Sequence, residues 1–179
     1  MTFKKHMPIA LVIAFIAAVL QAVDQLLQAN VWPQFAGYGW IAFQAWAVYF
    51  LAGCTPKGGL RGLIGYALGI IGSIGIFTLG GWLGKLGLGF WAMPVCLVIA
   101  VTVIMQLEIA PELFNFVPSV FVGAGVFFGI TSYIPTTGYV QSATIEMVYC
   151  AIGLFCGFLT ICFNNWYIPK YVEKTDVSK

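Results

Sequence analysis

Long, continuous apolar runs with almost no charge inside them restrict this chain more than any other feature. They cover residues 7–25, 38–54, 59–83, 88–107, 113–133 and 143–167. A bilayer core of about 30 Å takes about 20 helical residues, so each run is long enough, or nearly so, to span as a helix. Spanning β-strands would alternate apolar and polar side chains, and these runs do not. The stretches between them, 30–33, 55–59, 85–89, 108–112 and 135–142, hold Gly, Pro, Asn and charged residues, the usual marks of turns. The expected fold is all-α: a polytopic bundle of six transmembrane helices forming one transmembrane domain over residues 1–179, with a short cytoplasmic tail at 168–179.

Composition supports hydrocarbon as the solvent. Only 8% of residues are charged, whereas a soluble domain carries roughly 25%. The run after Lys4, Lys5 and His6 has the flanks of a signal peptide, but further spans follow it, so it reads as an uncleaved first helix.

Charge placement sets the orientation. With six spans and the N-terminus inside, the inner segments hold Lys4, Lys5, Lys57, Arg61, Lys170, Lys174 and Lys179, and the outer loops hold Lys85 alone. This asymmetry follows the positive-inside rule and predicts that both termini are cytoplasmic. Trp32, Trp40, Trp82 and Trp91 fall at expected outer boundaries, and Trp166 and Tyr167 at the inner end of the last helix. Amphipathic rings favour the headgroup level, so they serve as anchors there.

Of the 21 glycines, twelve lie between Gly58 and Gly89, so one segment has been given over to small residues. Gly58, Gly62, Gly65, Gly69 and Gly72 share one face of the third helix. Gly125 and Gly129 repeat the four-residue spacing in the fifth helix, and Gly153 and Gly157 in the sixth. In lipid, small-residue faces let helices approach closely. Such a face is either a tight seam or bare backbone lining a path; Gly62, Gly125, Gly129, Gly153 and Gly157 are candidates for packing, and Gly65, Gly69 and Gly72 for a path.

The stretch Val48-Tyr-Phe and Pro56-Lys-Gly-Gly-Leu-Arg-Gly62, with the later Phe116-Val-Pro-Ser-Val-Phe-Val-Gly-Ala-Gly125, resembles a family of small bacterial inner-membrane proteins catalogued as a domain of unknown function. The resemblance covers roughly the middle half of the chain. It implies a multi-pass protein of the bacterial cytoplasmic (inner) membrane and supplies no activity. Thr55 separates Cys54 from Pro56, where relatives are expected to have the cysteine next to the proline, so no role is carried over to Cys54.

Ionisable groups inside a membrane are expensive and mark function; none is expected at a midplane here. Gln21, Asp24, Gln25 and Gln28 share one face near the outer end of the first helix, continued inward by Ala14, Ala17 and Ala18. This is either an outer vestibule or an amphipathic helix end lying in the headgroups. Glu146, on the same side, could share that vestibule or favour its helix N-terminus. On the inner side Lys57 and Arg61 lie near Glu108, Glu112 and Asn115, with Arg61 placed to pair with Glu108, as an anchor or a charged mouth. Gln44 and Gln106 need partners across helices or water.

No enzyme is expected: HExxH, GxSxG and phosphate-loop patterns are absent, and the one histidine is His6. Five cysteines without a CxxC pair give no metal site, and no cofactor is implied. No basic run fits a nucleic acid. The expected partners are the lipid bilayer, further copies in a homo-oligomer, and a small-molecule solute. The leading reading is a channel or facilitator for a small neutral or weakly charged solute, and the alternative is a non-transporting scaffold or accessory subunit binding partner helices through glycine faces.

Overall fold

A computed structural model describes residues 3–31, 37–134 and 138–173; Trp32, Lys174 and Lys179, named above as anchor and inner charges, lie outside them. The described residues form six α-helices and no strand: α1 (Phe3–Asn30), α2 (Gly39–Leu51), α3 (Pro56–Leu83), α4 (Ala92–Met105), α5 (Val117–Tyr133) and α6 (Tyr139–Tyr167). The stretches Phe3–Asn30, Pro56–Ile109 and Tyr139–Val172 are long and apolar enough to cross a membrane, whereas Gly39–Leu51 and Val117–Tyr133 are apolar but shorter.

Pro56–Ile109 is a hairpin, not one rod. Gly87 (φ +91°) and Gly89 (φ +50°) take left-handed backbone that side-chain-bearing residues avoid. They reverse the chain, and α4 then runs back along α3, with Gly80 beside Met93 and Cys96 and Gly72 beside Ile104. The other pairings follow the same alternation. Tyr66, Gly65 and Gly69 of α3 meet Gly123, Ser119 and Val120 of α5 in parallel, and Ala42 and Tyr49 of α2 meet Gly153 and Gly157 of α6 in parallel. Successive helices therefore alternate in direction. Lys5 Nζ donates to the Val172 carbonyl at 3.1 Å, which brings the start of α1 and the segment after α6 to one end.

Helix boundaries differ from the hydropathy runs where local chemistry intervenes. The second run was expected over 38–54, but α2 stops at Leu51 because Gly53 (φ +90°) and Cys54 (φ +58°) close a left-handed turn. At 13 residues it spans only about 20 Å. Thr55 then caps α3, its hydroxyl accepting from Gly58 N at 2.9 Å, and Pro56 takes the first helical position, where no N–H is needed. Replacing Thr55 by Ala should cost about 0.5–2 kcal/mol, read as a lowered melting temperature in detergent. The fifth run was expected from residue 113; α5 begins at Val117, with Pro118 in its first turn. At the C-terminus a helical turn continues over Ile168–Glu173, so the expected tail is helical as far as it is described.

The glycine face of α3 serves several neighbours. Gly62 meets Val48 of α2 and Leu154 of α6, Gly65 and Gly69 meet α5, and Gly72 meets α4. Gly65 and Gly69, candidates for lining a path, are covered by Ser119, Val120 and Ala124. On α5 the seam residues are Ser119 and Gly123, not Gly125 and Gly129. A Cβ on Gly123 would sit 2.7 Å from the Tyr66 Cα, while nothing lies within 4 Å of Gly125 and only a Trp40 ring carbon, at 3.8 Å, reaches Gly129. Residues two apart on a helix are about 200° apart, so Gly123 and Gly125 face opposite ways. Gly153 and Gly157 do sit in a seam, against Ala42, Ala45 and Tyr49.

Candidate functional site

The helix directions sort the charges by end. Lys4, Lys5, Lys57, Arg61 and Lys170 gather at the end where α1 and α3 begin, with Glu108 and Glu112 on the connection into α5. The opposite half holds Lys85 on its turn and two acids within the helices, Asp24 and Glu146.

Those two acids are not in an open vestibule. Asp24 is 4% exposed and Glu146 0%. Asp24 lies on α1 where that helix meets the start of α2 and the middle of α6. Its Oδ1 accepts the Tyr149 hydroxyl at 2.6 Å and the Tyr38 backbone N–H at 2.9 Å. Its Oδ2 lies 3.3 Å from Gln21 Nε2. The chain can bring the Tyr38 N–H this close because Gly37 and Gly39 flank it: a Cβ on Gly37 would run into the Asp24 carboxyl, and one on Gly39 would press on it at 3.1 Å. The rings of Tyr38 and Tyr149 lie 5.9 Å apart beside the carboxylate. Three donors offset part of the cost of desolvating the group.

Glu146 lies one turn before Tyr149 on α6 and is the only charged residue of that helix. Neither of its carboxyl oxygens has a hydrogen-bond partner within the chain. The Ser142 hydroxyl, one turn earlier on the same face, and the Tyr66 hydroxyl of α3 are buried and unpartnered too. Cys150 follows one turn later, buried and free. The packed elements α2, α4 and α5 carry no charged residue at all. Two acids thus share an apolar interior with no basic residue between them, one satisfied by hydrogen bonds and the other not.

The remaining polar candidates fall elsewhere. Gln25 is exposed, and Ala14 and Ala17 line an apolar groove with Phe43 and Trp46 and not a polar continuation of the vestibule. Gln44 opens on a groove of about 420 Å³ between α2 and α5, lined also by Trp40, Gly125 and Gly129. Gln106 donates to the Thr102 carbonyl of its own helix at 3.2 Å. Arg61 does not pair with Glu108. Its Nη2 donates to Asn115 Oδ1 at 2.8 Å, and its guanidinium lies 5.4 Å from the Phe116 ring centre. Glu108 is exposed, on the far side of the Pro111 turn.

Lys57 Nζ meets Glu112 Oε2 at 2.6 Å. The hydrogen bond from Lys57, then its charge, holds the Glu112 carboxyl below the usual carboxylate range. Because the folded-state pKa is depressed, the pair's contribution is present above the ordinary carboxylate pKa and is lost as pH falls through the lowered value. Both side chains are largely exposed, so Glu112→Gln should leave melting near neutral pH almost unchanged and remove only a small acid-side slope.

Sequence reasoning found Asp24 and Glu146 but missed Tyr149, Tyr38, Tyr66 and Ser142. Their one signal is a polar atom at an interior position of an otherwise apolar helix, which pairs them with nothing in particular.

Among the described residues no group of three or more His, Cys, Asp or Glu is placed to hold a metal ion. An all-α bundle with helices of this length and apolarity is that of a membrane protein. Residues 10–165 match the family described as "Protein of unknown function (DUF1097)", and the chain belongs to that family. The match extends well past the middle half that carried the resemblance. Comparison with curated proteins and with solved structures finds no match.

Proposed function

We propose that this chain is a six-span protein of the bacterial inner membrane, with both termini cytoplasmic, that passes a small neutral or weakly charged solute. The supporting observation is the carboxyl cluster. A buried acid with no cation to neutralise it is costly to keep, and packing alone gives no reason to keep two. Asp24 with its tyrosine partners forms one part of the site, and Glu146, Ser142 and Tyr66 the other. The gathering of basic side chains at one end supports the orientation. A single protomer leaves little interior room for a private path, so we assign the working unit to a homo-oligomer. Nothing in the chain resembles a catalytic set, and we read it as a non-enzyme.

Purified protein in liposomes should raise permeability to at least one member of a panel of urea, small amides, short carboxylic acids and alcohols. Permeability no higher than that of empty vesicles across the panel overturns the reading.

A second reading, an accessory subunit, is favoured by one observation. Gly75 and Gly81 of α3 have nothing within 4 Å, so bare backbone remains open at both positions to a partner helix. Stoichiometric co-purification with another membrane protein supports it; recovery as a homo-oligomer alone counts against it.

A further inference from the structure

We propose that Glu146 is a proton-binding site, loaded from the outer side through Asp24 and Tyr149, so that passage of the solute is linked to proton occupancy. This rests on the cluster being the working site.

The geometry leaves Glu146 few alternatives. Its carboxyl is 0% exposed and accepts no hydrogen bond from the chain. An ionised carboxylate in that condition carries the full desolvation penalty with nothing to offset it. The groups facing it can be named from every packed element. On α6 they are Ser142, Tyr149 and Cys150, each within one turn of it, and on α3 Tyr66; Tyr149 in turn meets Asp24 of α1 and the ring of Tyr38, just before α2. None is a cation. The basic residues of α1 and α3, Lys4, Lys5, His6, Lys57 and Arg61, belong to the far end, and α4 and α5 have none.

The two carboxyls have opposite surroundings. Asp24 accepts two short hydrogen bonds, from Tyr149 and Tyr38, whereas the Glu146 carboxyl has no donor within the chain. Paired acids with environments of opposite sense are how a site assigns one proton to one of two carboxyls. Tyr149 contacts the first and shares a helix face with the second. Its hydroxyl donates to Asp24, and its position one turn from Glu146 puts it on the same side of α6. Gln21, 3.3 Å from Asp24 Oδ2, is exposed on the flank of α1.

A hard monovalent cation could also be held by the oxygens of Glu146, Ser142 and Tyr66, so the test separates the two. Infrared spectra of the protein in liposomes, with the glutamate carboxyls carbon-13 labelled, report a protonated carboxyl directly, without any solute. The expected result is a protonated-glutamate band at neutral pH that shifts on deuterium exchange, disappears in Glu146→Gln and survives in Glu112→Gln. Its intensity should fall as outer pH is raised and should not respond to sodium or ammonium at fixed pH. In Tyr149→Phe the band should remain while deuterium exchange slows by tenfold or more. A spectrum with no such band at neutral pH, or a band lost on adding sodium or ammonium at constant pH, overturns the proposal. Should the band behave as expected while no solute crosses, the proton site stands and the transport reading fails.

Discussion

Gly153→Ala should lower stability by about 3 kcal/mol or more, whereas Gly125→Ala should be neutral or slightly stabilising. The two glycines stand in look-alike four-residue motifs, Gly153/Gly157 and Gly125/Gly129, so the contrast isolates what surrounds them. A Cβ on Gly153 would overlap the Ala42 carbonyl oxygen and approach the Ala45 Cβ to 2.8 Å. The obstacle is backbone, which cannot rotate away, so α2 and α6 would have to separate along their seam. Overpacking of this kind costs about 1–3 kcal/mol when side chains can adjust, and more is expected where they cannot. A Cβ on Gly125 meets nothing within 4 Å. There the substitution only trades glycine for a better helix former, worth up to about 1 kcal/mol. Melting in detergent, followed by size-exclusion chromatography, measures both. Equal effects would contradict the seam assignment.

The second large effect concerns Asp24. Asp24→Ala leaves the Tyr149 hydroxyl and the Tyr38 N–H without their acceptor. A buried donor stranded in this way costs about 1–3 kcal/mol, while hydrogen bonds measured within membrane bundles average only about 0.6 kcal/mol. With two donors lost together, we expect about 2 kcal/mol. Asp24→Asn keeps an oxygen for both donors and removes the buried charge, so its stability should stay within about 1 kcal/mol of the parent. That ordering separates a carboxylate retained for hydrogen bonding from one retained for its charge. Asp24→Asn should fold normally and still slow exchange at Glu146. A destabilisation by Asn as large as that by Ala would show that the charge holds the fold.

Much of this architecture can be read from residue pattern alone. Uninterrupted apolar runs mark the helices because spacing and burial act locally, and each of the six runs overlaps one α-helix. The exact lengths were less legible. Residues 52–54 look apolar yet are spent on a turn, because a left-handed C-terminus depends on φ at Gly53 and Cys54 and not on hydropathy. The shared face of Gly62, Gly65 and Gly69 follows from helical period, but which neighbour each meets does not. Gly125 and Gly129 have the familiar spacing and yet face a groove, while Gly123, whose partner at that spacing is Ser119, forms the seam.

The site was legible only as a list of polar residues. Asp24 and Tyr149 are 125 positions apart, and nothing in local periodicity marks them as partners. Position along their helices leaves both acids open to two readings, an outer vestibule or an ordinary polar helix end. What the sequence could not show is that α1, α2 and α6 close over them. Arg61 illustrates the same limit, since Glu108 is near in expected depth but the Pro111 turn presents Asn115 instead.

Glu146 is expected to be functional and dispensable for folding. Solute flux through liposomes carrying Glu146→Gln, compared with the parent protein at matched incorporation, is the most direct test of that claim. The expected result is parent flux above empty vesicles for one member of the solute panel, and variant flux reduced at least tenfold with an unchanged melting temperature and elution volume. A well-folded variant that passes the solute as fast as the parent would contradict it.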